Sequence, residues 1–451
     1  MEKREFYSKQ ALAGSFIMRG MLALLVVGAY LQAFSQSSSP YSRYGLGSVY
    51  SPVFSANRAM GDLAAPYVSG VHINYANPAS YASLTRTTVE LGMRLDGANI
   101  YSGDSNYAAF QPNISHLALA FAPNEQAKKR NWGVSLGLLP YTNINYTFIQ
   151  DFNDTTLGAY RMVHAGKGSL YNVYAGGAYK IKGFSIGANF GFMFGKLDYQ
   201  KTITFPDSVY ALSSRNITSM NVRSFSYTIG VQYAYQIYHH SGAERRQDIN
   251  MILGAYGSGG IKMGAKISNY WDRFYIDPTY GVLPVDTPSA SFNKNATINL
   301  PFNIAAGAMF GNEMFWMIGA DFKYMNWKSY TSPLNNGGLA DSWRISVGAQ
   351  IIPNSEETNR KKYLSLVQYR LGAYVGKSEI VYNSKQLTEA GGTVGLGFPF
   401  KRAGFMSGRL NLAGDFGRRS TSDATAISET FYRVTVGFVI NDIWFIKRKF
   451  D

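Results

Sequence analysis

Apolar and polar residues alternate over much of this chain. In the first regular run, Val89, Leu91 and Met93 share one face, while Glu90 and Arg94 lie on the other. Successive side chains of a strand point to opposite faces of a sheet. The pattern therefore predicts β-strands that each have one apolar and one polar face.

Fourteen segments carry this alternation. They are residues 87–96, 115–122, 132–148, 168–180, 184–199, 224–238, 251–267, 296–310, 314–326, 342–352, 366–377, 388–400, 408–418 and 430–440. Only helices and closed barrels satisfy their backbone polar groups within lipid, and bacterial single-chain barrels have an even number of strands. We therefore predict an all-β fold, a transmembrane antiparallel β-barrel of about 14 strands.

The links between these segments mostly alternate between short and long. Residues 180–183 and 311–313 are short, whereas residues 268–295 and 327–341 are long and polar. Outer-membrane barrels place short turns in the periplasm and longer loops outside. Residues 353–365 depart from this order. A soluble sandwich or propeller is the alternative, but it would not require the alternation.

The N-terminus has the features of an export signal. Lys9 and Arg19 precede an apolar run at residues 21–34, and the small residues Ala33 and Ser35 precede Gln36. This order predicts a signal peptide at residues 1–35, beginning at either Met1 or Met18. The apolar run is short for a membrane anchor, which is the alternative. We expect an exported protein, located in the outer membrane of a Gram-negative bacterium.

Composition agrees with strands that face a nonpolar medium. The chain has 46 Gly, 33 Tyr and 28 Phe, and 16% of its residues are charged, against about 25% in soluble domains. It has no Cys, which excludes disulfides and thiolate metal sites. Much of the net charge of +15 falls in predicted periplasmic turns, where cations can pair with outer-membrane lipid head groups. Without a binding motif, we expect no nucleic acid partner.

A rigid corner, Asn77-Pro78-Ala79, precedes the first strand. Pro78 keeps Asn77 out of the helical region, and the Asn side chain can bond back to nearby backbone. Taken alone, the corner is an ordinary loop before a strand.

The order of signal peptide, strand-poor segment, Asn77-Pro78-Ala79 and fourteen strands resembles the FadL/TodX-type family of outer-membrane transport proteins. Residues 55–65 resemble the Gly/Ala-rich hatch of that family. The resemblance implies a hatch or plug at residues 36–86 inside a barrel at residues 87–451. Two features depart from the family: the chain ends in Phe450-Asp451, and the Tyr-rich residues 39–51 suggest a partner-binding strap.

Family members move hydrophobic molecules sideways through a kink in the third strand. The matching strand here contains Gly137 and Pro140. Proline cannot donate a hydrogen bond to a sheet ladder. We therefore predict a lateral opening at Gly137, Pro140 and Tyr141, the alternative being a strand that ends at Leu139.

The polar face of the strands places charged residues inside the barrel. They are Glu90, Arg94, Asp96, Asp321, Lys323, Arg344, Arg370, Arg409, Asp415 and Arg433. One interpretation is a site for a carboxylate head group, since Arg binds carboxylates in a bidentate manner. The other is a compensated network that fills the lumen and holds the hatch, because charges removed from water need partners.

No catalytic or metal-binding pattern stands out. The five histidines do not form an H-E-x-x-H motif, and residues 256–260 lack the first Gly of a nucleophile elbow. We predict no enzyme, metal or cofactor. One hypothesis is passive uptake of a hydrophobic small-molecule ligand through a hatch-gated barrel. The alternative is a non-transporting subunit of a secretion or assembly complex with outer-membrane or periplasmic protein partners.

Overall fold

The computed structural model describes residues 39–103, 105–122, 130–156, 158–205, 211–238, 248–277, 279–334, 338–355, 360–401, 407–423 and 425–444. The predicted signal peptide, two of the five histidines, His239 and His240, and the terminal residues 445–451 lie outside these ranges. The described residues form one closed antiparallel sheet.

Fourteen strands make up the barrel, as the alternation predicts. They are β1 (Thr87–Ser102), β2 (Ser105–Phe121), β3 (Arg130–Asp154), β4 (Gly158–Ile181), β5 (Phe184–Thr204), β6 (Ser213–Tyr238), β7 (Ile249–Ser258 and Ile261–Asp277), β8 (Gly281–Leu300 and Asn303–Asn312), β9 (Trp316–Met325), β10 (Ser342–Ile351), β11 (Gln368–Tyr382), β12 (Lys385–Lys401), β13 (Ser407–Ser420) and β14 (Ser428–Asp442). Pairing of β14 with β1 closes the barrel. We call the end at Ser102 the upper end and the end at Thr87 the lower end.

One of the expected long links is wrong. Residues 268–295 are mostly the upper parts of β7 and β8, which remain paired up to Asp277 and Gly281. Residues 378–387 form a hairpin whose turn, Asn383-Ser384, has positive φ at both residues. The upper parts of these strands are rich in polar residues, so polarity alone does not distinguish them from loops.

The predicted hatch is described from Ser39, and we call residues 39–86 the plug segment. It contains two 3-10 helices, Pro40–Arg43 and Pro78–Ser83, a short strand, Ser48–Val49, and one turn of α-helix, Ser55–Arg58. Two further 3-10 helices, Trp327–Ser329 and Arg360–Leu366, lie in links between strands.

No helix among the described residues is long and apolar enough to cross a membrane.

Glycines on the inner face of the wall let the plug backbone approach closely. A Cβ on Gly230 would overlap the Asn77 side chain, and one on Gly372 would overlap the Gly61 amide. The same holds around the barrel at further glycines: Gly133, Gly187, Gly254, Gly348, Gly395 and Gly437. Contact on so many strands places the plug segment inside the barrel.

Apolar side chains fill the upper lumen along β3 to β8. Leu46 of the plug segment packs there with Trp327 and Tyr330, which follow β9. The barrel residues of this apolar cluster are Ile144, Tyr146, Leu170, Met193, Leu197, Met220, Val222, Met263, Ala265, Ile267, Ile298 and Leu300. This side of the lumen is therefore closed by packing.

Candidate functional site

The Asn77-Pro78-Ala79 corner joins the plug segment to the wall. Asn77 Oδ1 accepts a 3.2 Å hydrogen bond from the Ala79 amide, and Pro78 begins the second 3-10 helix. Asn77 Nδ2 donates to the Ala65 carbonyl at 2.7 Å and to the Val231 carbonyl of β6 at 3.3 Å. Asn77 is completely buried. The side chain thus fixes the local turn and also links two parts of the plug to β6.

Wall side chains on several strands bind the plug backbone. Asp321 of β9 accepts hydrogen bonds from the amides of Ala64 and Ala65 at 2.8 and 3.2 Å. On β14, Asn441 donates to the Val71 carbonyl at 2.9 Å. On β5, Asn189 donates to the Tyr75 carbonyl at 2.9 Å. Because these strands lie on different sides of the barrel, the plug segment is fixed around its circumference.

Glu313 binds the plug at the lower end, in the turn between β8 and β9. Its carboxylate accepts from Ser69 Oγ at 2.6 Å and from the Gly70 amide at 2.9 Å. Burial raises the pKa of Glu313, and the hydrogen bonds from Ser69 and Gly70 oppose that rise.

The ten predicted lumenal charges face the barrel interior, but they divide into two groups. The lower group surrounds His72 of the plug segment, whose Nδ1 lies 3.0 Å from Glu90 and whose Nε2 lies 3.2 Å from Arg409. Burial lowers the pKa of His72, and the nearby Arg409 and Arg370 lower it further. Arg370 donates to Gln350 and Asn411 at 2.8 and 2.9 Å, and also to Gln368.

Arg433 is the centre of the upper group. Its guanidinium lies 3.1 Å from Asp415, 3.7 Å from Asp96 and 3.8 Å from Glu389. Arg94 pairs with Asp96 at 2.6 Å. Each of these cations therefore has a carboxylate within ion-pair distance.

Sequence reasoning missed several members of the upper group. Arg419 pairs with Glu389 at 2.7 Å and with Glu429 at 3.5 Å. Glu389 lies on the lumenal face of the predicted strand 388–400. Arg419 and Glu429 lie one residue beyond the predicted strands 408–418 and 430–440, at positions that continue the lumenal face. Extending these two strands by one residue would have found them. Asp62 of the plug segment lies 3.5 Å from Arg344. Burial alone would raise the pKa of Asp62, but Arg58 and Arg344 hold it below its usual value.

A cavity of about 270 Å³ lies beside the upper group. Its wall includes seven cationic and six anionic residues: Arg58, Arg94, Lys323, Arg344, Lys377, Arg419 and Arg433, with Asp62, Asp96, Asp321, Glu379, Glu389 and Glu429. Lys323 and Asp321 of the predicted set lie in this wall. The charges of the wall nearly cancel, and aromatic side chains such as Tyr50, Phe110 and Trp343 share the lining with them.

The Tyr-rich strap, residues 39–51, lies within the upper lumen. Ser39 donates to Glu429, and the Tyr41 hydroxyl donates to the Ile427 carbonyl. Tyr41 packs against Ile380 and Leu387 and is 5% exposed. The Tyr41 side chain is therefore buried in contacts with the barrel wall.

Pairing between β2 and β3 is short. It begins where Phe121 lies opposite Val134 and stops where Leu117 lies opposite Leu138. The other edge of β3 pairs with β4 up to Asp154. Above Leu117 and Leu138, β2 and β3 lie side by side without pairing to each other, and we call this stretch the seam. Gly137 is still paired with Ala118 of β2, so it lies just below the seam.

Pro140 and Tyr141 lie at the bottom of the seam. The register with β4 shifts between Pro140 and Thr142, so Tyr141 forms an irregularity in β3. A cavity of about 10 Å³ separates Pro140 from Ile114 of β2. β3 nevertheless continues to Asp154, which excludes the alternative that the strand ends at Leu139.

The plug segment covers part of the seam from inside. Ser48 and Val49 pair antiparallel with Asn143 and Thr142 of β3. Directly below them, the Tyr50 amide donates to the Tyr141 carbonyl at 2.9 Å. The plug thus contributes a short additional strand to the edge of β3.

The described residues contain no cluster of three His, Asp or Glu side chains that could hold a metal ion. His72 lies between Glu90 and Arg409, and His116 stacks on Phe54 with a ring separation of 3.8 Å. Both histidines serve the contact between plug and wall.

Several solved barrels share this fold. The toluene transporter TodX of Pseudomonas putida matches with a TM-score of 0.51 and 14% identity, covering 88% of this chain and 98% of TodX. The toluene transporter TbuX of Ralstonia pickettii gives 0.53 and 12%, covering 87% and 99%. A FadL homologue of Pseudomonas aeruginosa gives 0.52 and 10%, covering 86% and 98%. At these identities the likeness establishes the fold, which is that of FadL/TodX-type outer-membrane barrels.

The sequence itself matches no curated protein. A model of one protein family, BamG, does match, over residues 17–451. Since this match spans nearly the whole chain, the protein belongs to the BamG family.

Proposed function

We propose that this protein is an outer-membrane barrel that acts as a non-transporting component of a protein complex in a Gram-negative bacterium. Its lower end faces the periplasm and its upper end faces the outside, since the long polar hairpin at residues 268–295 lies at the upper end and such barrels carry their larger extensions outside.

The observation that carries the proposal is the way the lumen is occupied. The plug segment is hydrogen-bonded to β5, β6, β9 and β14. Opening a path past it would break these buried hydrogen bonds together, and each buried polar group left without a partner costs about 1–3 kcal/mol. A plug held in this way suits a fixed scaffold better than a gate.

The charged cavity supports the same function. Binding sites for small hydrophobic molecules are mostly lined by apolar and aromatic side chains. Here the 270 Å³ cavity of the lumen has the ion pairs around Arg433 in its wall, while the apolar side of the lumen is filled by packed side chains. An apolar ligand would have to displace water from charged groups, which is unfavourable. The upper charges therefore fit the compensated network that holds the plug.

The test is isolation of the protein from its native outer membrane in mild detergent. Its intact mass and the masses of bound proteins would be recorded, together with a lipid extract. A stoichiometric complex without an enriched apolar ligand is the expected result. A lone barrel carrying bound apolar molecules would contradict the proposal.

A second candidate function, passive uptake of hydrophobic small molecules, is favoured by the seam. Pairing of β2 with β3 stops at Leu138, two residues before Pro140, which is where the family resemblance places a lateral opening. In this function Gly137, Pro140 and Tyr141 would shape the opening, and the plug segment would act as a hatch.

A further inference from the structure

A band of apolar side chains on the outer face of β4 marks the part of the wall that faces lipid. Tyr171, Val173, Tyr179 and Ile181 of this strand are all exposed. Tyr171 and Ile181 are ten residues apart, and a strand tilted by about 40° rises about 25 Å over that length. The apolar band of outer-membrane barrels has the same height, about 25 Å. Tyr171 therefore lies at the upper boundary of the band.

Cationic side chains follow directly above this boundary on β5, β6 and β7. In the row at the top of the band, Phe194 of β5 lies opposite Arg223 of β6. One row higher, Lys196 of β5 lies opposite Asn221 of β6, which in turn lies opposite Lys266 of β7. Residues directly opposite each other in antiparallel strands share one face of the sheet. The outer face thus changes from aromatic to cationic within one row.

These cations form a compact group on the outer wall. Neighbouring strands lie about 4.8 Å apart, so Lys196, Arg223 and Lys266 surround Asn221 with separations of about 7–10 Å. The long side chains of Lys and Arg can converge over such distances on one anion. Two further lysines lie on the same outer face of β4 and β7. We call the five exposed cations the basic cluster: Lys167, Lys196, Arg223, Lys262 and Lys266.

Acidic residues compensate the basic cluster only in part. Lys196 lies 2.9 Å from Asp198, which also accepts a hydrogen bond from Ser219. By contrast with lumenal Arg433, which has a carboxylate at 3.1 Å, most of the cluster is unpaired. Within the part of the chain that the structure describes, no ion pair involves the other four members: Lys167, Arg223, Lys262 and Lys266. These cations are therefore available to an anion at the membrane surface.

We propose that the basic cluster binds the phosphate groups of lipopolysaccharide, the phosphorylated glycolipid of the outer leaflet. Basic residues at head-group level attract anionic lipids, and the exposed Asn221 amide can donate to a phosphate oxygen. Below the cluster, Phe194 and Phe225 are exposed, Phe225 to 79%, and would contact the acyl chains. This inference rests on the proposed function, which places the upper end outside.

The first test measures binding of purified diphosphoryl lipid A to the full chain in detergent, by native mass spectrometry. We expect Arg223→Gln and Lys266→Gln each to bind about fivefold more weakly than wild type, the effect of losing about 1 kcal/mol per cation. The matched control is Arg418→Gln on β13. Arg418 is also exposed, but it lies opposite Ala390 and Thr430, so we expect wild-type binding.

Two results of this test would contradict the basic cluster. One is a wild-type barrel that does not bind lipid A, and the other is an equal loss in all three variants, which would indicate general attraction to a positively charged protein. Heat-dependent gel mobility would confirm that each variant forms a barrel. Arg223→Gln and Lys266→Gln test the cluster independently, so one remains informative if the other fails to fold.

The second test varies the ligand. Lipid A without its phosphates should bind wild type about as weakly as diphosphoryl lipid A binds a variant in which Lys196, Arg223 and Lys266 are all changed to Gln. Inorganic phosphate in excess should not displace lipid A, because burial of the acyl chains adds to the affinity. Equal binding of the two forms of lipid A, or displacement by inorganic phosphate, would refute a site for a phosphorylated lipid.

The third test examines orientation with Thr279→Cys, in the turn between β7 and β8. The natural chain has no Cys, so this thiol is unique. We expect a membrane-impermeant maleimide to label it in intact cells. Labelling only after the outer membrane is permeabilised would place the basic cluster at the inner leaflet and refute lipopolysaccharide as its ligand.

The outcomes separate this inference from the proposed function. If the barrel is recovered in a protein complex, but the cluster variants bind lipid A like wild type, the lipid site is refuted and the proposed function stands. If the barrel is recovered alone, the role in a complex fails, while loss of lipid A binding in Arg223→Gln and Lys266→Gln still supports the lipid site.

Discussion

The Gly61 amide of the plug segment donates a 2.8 Å hydrogen bond to Thr393 Oγ1 of β12. Gly61 has φ +73°, a conformation that L side chains rarely adopt. Gly372 of β11 lies directly beneath this amide, with no room for a Cβ. The contact thus depends on two glycines that are distant in sequence.

Gly372→Ala should weaken the seating of the plug. The added methyl group would overlap the Gly61 amide, and overpacking of this kind costs about 1–3 kcal/mol. We expect faster proteolysis of the plug segment and lower thermal stability of the barrel. The control is Gly392→Ala on β12, where the nearest atom to an added Cβ, the Gly372 carbonyl oxygen, lies 3.8 Å away. Equal sensitivity of the two variants would contradict this account.

Arg433→Met should destabilise the barrel by about 3 kcal/mol, because it leaves buried carboxylates without their cation. Asp415 would lose its 3.1 Å ion pair, and Asp96 and Glu389 would lose weaker ones. The measurement is the temperature at which the purified barrel loses its folded mobility on a gel. Arg418→Met, at an exposed position on β13, should leave this temperature nearly unchanged. If Arg433→Met left this temperature unchanged, the charge network around Arg433 would not be what stabilises the barrel.

A disulfide between Val49→Cys and Thr142→Cys should form readily. These residues are directly opposite in an antiparallel pair, and Cα separations of about 4.5–5.5 Å in such pairs suit a disulfide. The natural chain has no Cys, so other pairings cannot interfere. For a fixed plug, we expect partner recovery to be the same in the oxidised and reduced forms. If partner recovery or uptake of a hydrophobic molecule rose only on reduction, the short strand Ser48–Val49 would have to leave the seam for that function.

Pro140→Val tests the second candidate function. Valine restores an N–H donor and favours regular strand structure, so it should narrow the seam. If the barrel takes up hydrophobic molecules through this opening, uptake of a radiolabelled fatty acid or toluene should fall. Uptake that is absent in wild type, or unchanged in the variant, would remove this candidate.

Alternation of apolar and polar residues was sufficient to predict the barrel and its fourteen strands. This pattern is local, because each strand must present one face to lipid and the other to the lumen. It also placed charges such as Arg433 and Asp415 on the lumenal face. The upper strand ends were harder to predict, since both faces there contact water and the alternation fades, as in residues 268–295.

Only the tertiary structure decided which charges meet. Arg344 and Asp62 are far apart in sequence, yet they pair at 3.5 Å, because barrel closure brings β10 against the plug segment. The same closure separates the predicted charge set into two groups, adds Glu389 and Arg419, and ends the pairing of β2 with β3 at Leu117 and Leu138. The sequence alone determined which face each residue takes, since that depends on its nearest neighbours along the strand. Pairing partners and free edges depend on how distant strands are arranged around one closed sheet, so no local pattern contains them.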